Sequence, residues 1–97
     1  MACEVSGVDD GVGEIMAALK ANGIDDNTLV IYSADQGWMG GQNGIWGMGD
    51  HTRPIGAHEL MMRIPFIFHQ PGQIPGGKTS ALLVSNYDFM PSLLGYL

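Results

Sequence analysis

The residues best suited to chemistry are Asp35 and Gln36, which come two positions after the end of a β-prone run, residues 28–33. In open α/β sheets, ligands collect just beyond the carboxyl ends of strands. A carboxylate beside an amide carbonyl offers two hard oxygen ligands, which suit Ca²⁺ or Mg²⁺. Because Ca²⁺ takes about six to eight oxygens, the pair predicts only part of a metal site. An aspartate that caps a turn is the alternative for Asp35.

A second candidate group is the pair His51 and Arg53, which lies in a glycine-rich segment. The guanidinium group of arginine matches the oxygens of sulfate or phosphate, so this pair predicts an anionic-substrate pocket near the strand-end metal. A solvated loop charge is the alternative for Arg53. His58 and His69 lack a partner at zinc-ligand spacing, and we expect structural or surface roles for them.

The same segment, residues 37–56, is predicted to be a long functional loop, because loops of about twenty residues are uncommon in compact domains unless they are functional. Trp38 and Trp46 lie within it and either stack on a sugar ring or hold the loop in place. The sequence offers no nucleophile constellation, because Ser33 lacks a G-x-S-x-G elbow. It also offers no phosphate-cradling loop, because the glycines lack the Lys-Ser/Thr ending of a P-loop.

The elements that must position these residues follow from the hydrophobic spacing. Apolar residues recur at helical intervals over residues 8–22, with Ser6 and Asp9 resembling a capping box and Gly23 as the stop. Continuous apolar runs at 28–33 and 64–68 predict strands that are covered on both faces. A third short strand is predicted at 82–84, a short helix at 57–62, and a final helix capped by Ser85 or Asn86.

This order of elements predicts an α/β fold with a mostly parallel sheet as the default. Strands buried on both faces need more sheet and more helices than 97 residues supply. We therefore expect the chain to be part of a larger α/β domain.

Charge and composition exclude several functions. Ten acidic residues against four basic ones give a formal charge of −6, which disfavours nucleic acid as a partner because that affinity depends on Lys and Arg. The single cysteine, Cys3, cannot form an intrachain disulfide, and the cellular compartment stays open. The first residues do not look like a signal peptide and no apolar run is long enough to span a bilayer, so no membrane association is expected.

Several segments, in order, resemble the carboxyl-terminal part of the catalytic domain of sulfatases, in the alkaline-phosphatase-like superfamily. The most specific is DNTLVIYSADQG at residues 26–37, which resembles the family segment of DNT, a strand, and S/T-x-D-N/H/Q-G. The other similar segments are VDDGVG at 8–13, GIWG at 44–47, RIPFI at 63–67 after Glu59, QPGQI at 70–74 and NYDFMPSLL at 86–94. Residues 1–97 are thus identified as a partial sulfatase catalytic domain.

The resemblance implies a piece of an alkaline-phosphatase-like three-layer sandwich and the hydrolysis of sulfate esters at a Ca²⁺ site. The attacking group would be a formylglycine made from Cys or Ser in a C/S-x-P-x-R motif, acting on a sulfated small molecule or glycan. Asp35 and Gln36 match the positions of two metal ligands.

Three departures from the family pattern weaken the expected activity. The amino-terminal half with the nucleophile motif is not encoded in this chain, and Cys3 is followed by Glu4 and Val5 rather than by that motif. Asn43 stands where the pattern has His, and Met48 stands where it has the sulfate-binding Lys. A thioether cannot hold sulfate as an ammonium group does, so His51 or Arg53 would have to compensate.

Three hypotheses follow. The leading one is a sulfatase-like fragment that carries part of a divalent-metal site and is inactive alone. The second is a non-catalytic module that binds a glycan or other ligand. The third is a subunit that completes its site with another chain, for which an exposed sheet edge would provide the contact.

Overall fold

The computed structural model describes residues 2–49 and 55–97. The predicted residues His51 and Arg53 lie outside the described residues. Helix α1 (Ala2–Ala21) leads to strand β1 (Val30–Ser33), which is followed by strands β2 (Met39–Gly40) and β3 (Trp46–Gly47). Helix α2 (Glu59–Met62), strand β4 (Phe66–His69) and helix α3 (Phe89–Tyr96) complete the chain.

Helix α1 ends where the sequence predicts. Gly23 has φ 65° and its N–H donates to Lys20 O, while Ile24 N–H donates to Leu19 O. These two bonds form a Schellman motif, which satisfies carbonyls at the end of the helix. The predicted start at residue 8 was wrong, because the helix begins at Ala2 and Ser6 lies inside it. Glu4 in the first turn favours this longer helix through its charge at the positive end of the helix dipole.

Strands β1 and β4 form a two-stranded antiparallel sheet in which Tyr32 pairs with Ile67 and Ser33 with Phe66. The expected mostly parallel sheet is therefore not confirmed. A parallel pair needs a crossover connection, usually an α-helix, and the only α-helix described between these two strands is the four-residue α2. The predicted combination of helices and strands is nevertheless observed.

Both faces of this sheet carry apolar side chains, but the predicted cover on both faces is not observed among the described residues, since Tyr32 is 41% and Ile67 is 55% exposed. Ile31, Phe66 and Phe68 lie on one face, where the Phe66 ring meets Phe89 of α3 edge-on at 6.3 Å between centroids. Tyr32 and Ile67 lie on the other face and line a groove of about 420 Å³ beside α1. One helix thus accompanies each face.

The predicted third strand at residues 82–84 is not a strand. Leu83 is fully exposed, at 101%, and within the described residues no strand runs beside this segment. Without a neighbouring strand its backbone groups have no ladder to join, so the apolar run alone does not make a strand. The final helix was predicted correctly: Ser85 forms a capping box with Asp88 before α3.

The chain is extended for its size. Its accessible surface is 7764 Å², whereas a folded monomer of this mass exposes about 5,400 Å². The radius of gyration is 16.3 Å, against about 12.5 Å for a compact chain of this length. Among the described residues, the buried apolar side chains are Met39 and Met61. None of the described helices combines the length and apolar character needed to cross a bilayer.

Candidate metal-binding corner

The predicted metal ligands lie in a sharp corner, residues 33–37, at the carboxyl end of β1. Three hydrogen bonds tie this corner to other parts of the chain. Ser33 Oγ donates to Pro65 O at 3.0 Å. Asn86 Nδ2 donates to Asp35 O at 3.3 Å, and Gly37 N–H donates to Met61 O at 2.8 Å. The corner is thus fixed against the start of β4, the start of α3 and helix α2.

Gly37 is required for the closest of these contacts. A Cβ atom at this position would lie 2.1 Å from Leu60 O and 2.9 Å from Arg63 O, both backbone atoms. No side chain fits at such distances, so only glycine lets the corner approach α2. Met61, 5% exposed, is one of the two buried apolar residues described.

Asp35 is exposed and lines an open cavity of about 390 Å³ between the sheet and α3. Within the described residues its carboxylate has no hydrogen-bond partner, because the bond from Asn86 ends on its backbone carbonyl. The lining of the cavity is mixed, with apolar walls and a few polar groups: Ile31, Ser33, Ala34, Phe66, Asn86 and Phe89. The carboxylate is therefore available to a cation.

Gln36 is also exposed but contacts a different neighbour. Its Nε2 donates to the sulfur of Met48. With the nitrogen so placed, the amide oxygen Oε1 is left to act as a ligand. Gln36 does not line the cavity beside Asp35, so the two neighbouring side chains meet different surroundings.

Met48 follows the β2–β3 hairpin, which lies within the predicted long loop. Met39 pairs with Gly47, and Gly41 N–H donates to Ile45 O at 2.9 Å. Gly41 at φ 100° and Asn43 at φ 54° make the tight connection. The hairpin is secondary structure that the sequence prediction missed, and its signal was the glycine-rich spacing between the two tryptophans.

Both tryptophans keep much of their surface in solvent. Trp38 is 48% and Trp46 is 64% exposed. The Trp46 indole covers Gly41, where a Cβ atom would lie 3.0 Å from the ring. Trp46 therefore packs on the hairpin backbone and still presents aromatic surface to solvent.

The donor chemistry of Asp35 and Gln36 fits a calcium-type cation, since both offer oxygen. Outside positions 1 and 50–54, no cluster of three or more His, Cys, Asp or Glu side chains gathers to hold a metal. Cys3 is exposed on α1. His58 is exposed before α2, and His69 lies on the sheet face toward α1. Asp35 and Gln36 are therefore candidate oxygen ligands among the described residues, too few by themselves to complete a Ca²⁺ site.

In this α/β chain the polar corner lies just beyond the carboxyl end of a strand, which is where α/β folds commonly bind ligands. The Sulfatase family model matches residues 3–97. This chain belongs to the sulfatase family.

Relatives of known name support the same family. The N-acetylglucosamine-6-O-sulfatase of Bacteroides thetaiotaomicron is 33% identical over 92 residues, covering 95% of this chain and 15% of the relative. The endo-4-O-sulfatase of the same organism is 35% identical over 91 residues, covering 94% of this chain and 17% of the relative. The ulvan-active sulfatase of Formosa agariphila is 32% identical over 91 residues, covering 90% of this chain and 16% of the relative.

The chain thus spans about a sixth of the length of the relatives it matches. No solved structure matches it at a significant level.

Proposed function

We propose that this chain supplies part of the active site of a sulfuric ester hydrolase, with Asp35 and Gln36 as two ligands of a Ca²⁺ ion. The observation that supports the proposal is the exposed Asp35 carboxylate beside Gln36 at the end of β1, in a chain of the sulfatase family. Three hydrogen bonds from distant segments fix this corner, as expected of a site whose ligands must be held in place.

Each residue has a distinct task in this proposal. Bound Ca²⁺ would stabilise the negative charge that develops on the sulfate oxygens. Asp35 and Gln36 orient oxygen atoms toward the cation. His51 and Arg53 bind the sulfate group, because the neutral Met48 cannot attract it. The formylglycine nucleophile comes from outside this chain, so the chain alone is inactive.

The proposed substrate is a sulfated glycan. The names of three relatives specify sulfated sugars or a sulfated polysaccharide: N-acetylglucosamine-6-O-sulfatase, ulvan-active sulfatase and N-acetylgalactosamine-6-sulfatase. The indole of Trp46, which is 64% exposed on the hairpin, offers this chain an aromatic face. Aromatic rings present a flat apolar surface with a polar edge, which suits sugar rings.

The experiment is a Ca²⁺ titration of the isotopically labelled chain followed by amide NMR. We expect selective shifts at residues 34–37, with an apparent Kd at or above about 1 mM, because two ligands are far fewer than Ca²⁺ prefers. Asp35→Asn should abolish these shifts, and the control Asp26→Asn, an exposed aspartate before β1, should leave them unchanged.

Shifts confined to the acidic helix α1, or shifts that persist in Asp35→Asn, would contradict the proposal. Either result would mean that calcium binds diffusely to surface carboxylates. Mg²⁺ serves as a comparison, since it demands octahedral geometry that two flexible donors do not provide.

A non-catalytic glycan-binding module is the second candidate, and the exposure of both tryptophans favours it. The DNA upstream of Met1 separates the two candidates. A reading frame that encodes C/S-x-P-x-R supports the enzyme, and its absence supports the module.

Association through the exposed edge of the β1–β4 sheet is a further proposal, which would complete the site with another chain. Size-exclusion chromatography with and without Ca²⁺ tests it. A monomer whose elution does not depend on Ca²⁺ would argue against it.

A further inference from the structure

We infer that Asn86 is a positioning residue for the Asp35–Gln36 corner, acting through its hydrogen bond to the Asp35 carbonyl. This inference rests on the proposed metal function. Asn86 opens the 3-10 turn that precedes α3, and its Nδ2 reaches Asp35 O at 3.3 Å across 51 positions of sequence. The bond holds the peptide that joins the two proposed ligands.

The support for Asn86 is rigid. Ser85 N–H donates to Asp88 Oδ2 at 2.7 Å, and the Ser85 and Asp88 side chains close a capping box. One residue after that box, Phe89 packs against Phe66 of β4. Asn86 therefore stands on a capped turn that is anchored to the sheet, which limits how far its amide can move.

The geometry also separates positioning from ligation. Asn86 and Asp35 line the same cavity, but the amide of Asn86 contacts the backbone and leaves the Asp35 carboxylate free of partners among the described residues. The carbonyl of Asp35 and the amide N–H of Gln36 belong to one peptide group. Fixing that carbonyl therefore fixes the orientation of the peptide plane between residues 35 and 36, which includes the Cα atom that carries the Gln36 side chain.

The test is Asn86→Ser, because serine is also favoured at helix starts and is too short to reach the Asp35 carbonyl. Asn22→Ser is the matched control. Asn22 Nδ2 donates to Ala18 O at 2.8 Å, so the same substitution removes the same kind of bond far from the corner.

Two measurements follow for both variants and for the unmodified chain. Amide hydrogen exchange reports the opening of the Gly37 N–H bond to Met61. Paramagnetic broadening of the amide signals of residues 34–37 by Mn²⁺ reports cation affinity at the corner. We expect Asn86→Ser to raise the exchange rate of the Gly37 amide by about two- to tenfold, because the net contribution of one hydrogen bond corresponds to a change of that size. The Mn²⁺ concentration that gives half-maximal broadening should rise by the same factor. Asn22→Ser should change neither.

The outcomes are distinct. If Mn²⁺ broadens no corner amide in the unmodified chain, the proposed metal function fails and this inference fails with it. If Mn²⁺ broadens them equally in the unmodified chain and in Asn86→Ser, the positioning role alone is overturned. Unchanged Gly37 exchange in Asn86→Ser overturns it as well.

Discussion

Replacement of Gly37 by alanine is the sharpest test of the corner. The added Cβ atom would lie 2.1 Å from Leu60 O. Real Cβ contacts are essentially never shorter than 3.0 Å, so the backbone must separate by about 0.9 Å. The same movement would stretch the Gly37–Met61 hydrogen bond from 2.8 Å to well beyond hydrogen-bonding distance.

The expected loss in the free energy of unfolding follows from these two effects. Overpacking against backbone costs about 1–3 kcal/mol, and a lost hydrogen bond costs about 1 kcal/mol. We therefore expect Gly37→Ala to lower the free energy of unfolding by about 2–4 kcal/mol. In a chain with so little buried surface, a loss of that size removes most of the folded population.

Gly13→Ala is the matched control, because it lies within α1 and an added Cβ would meet no atom within 4 Å beyond the backbone of its own helix. Alanine favours the helix interior over glycine, so this variant should gain about 0.5–1 kcal/mol. Urea unfolding followed by tryptophan fluorescence compares the three proteins, since Trp38 directly follows Gly37. A Gly37→Ala urea midpoint equal to that of the unmodified chain would show that the contact between the corner and α2 does not require glycine.

Three further predictions concern the rest of the chain. Ser85→Ala should lower α3 stability by about 1 kcal/mol by removing the hydroxyl half of the capping box with Asp88, measured by amide exchange, while the exposed Ser92→Ala should not. Tyr96→Phe removes the 2.7 Å bond from its hydroxyl to Gln70 and should cost about 0.5–1.5 kcal/mol in a urea melt; no change would mean that solvent replaces this bond fully. The isolated chain should strongly bind a fluorescent dye that recognises apolar surface, because many of its apolar side chains are exposed. Weak dye binding together with a cooperative melt would contradict this exposure.

Local signals in the sequence predicted the end of α1 and the start of the final helix, but the capping-box pattern at Ser6 and Asp9 misplaced the start of α1. Gly23 stops α1 with a left-handed conformation, and Ser85 starts the final turn, because both effects depend on neighbouring backbone groups. The apolar runs also predicted β1 and β4. Their antiparallel pairing was not predicted, since pairing depends on the path of the connecting chain and not on either strand.

The candidate site was predictable only in part. Residue type and the position after a strand were enough to select Asp35 and Gln36 as candidates, and their role as ligands stays a prediction. The hydrogen bonds that hold them could not, because Pro65 lies 32 positions from Ser33 and Asn86 lies 51 positions from Asp35. The apolar run at residues 82–84 misled for the same reason, because a strand needs a partner that local sequence does not specify.

The bonds that shape the corner all begin and end within residues 33–86, whereas the sheet faces next to it stay open to solvent. The local structure around the proposed cation ligands therefore does not depend on covering those faces. In a split-protein experiment, a polypeptide carrying the remaining sulfatase elements would meet a preshaped half-site, and reconstitution would be limited by docking of apolar surfaces rather than by rearrangement of Asp35 and Gln36.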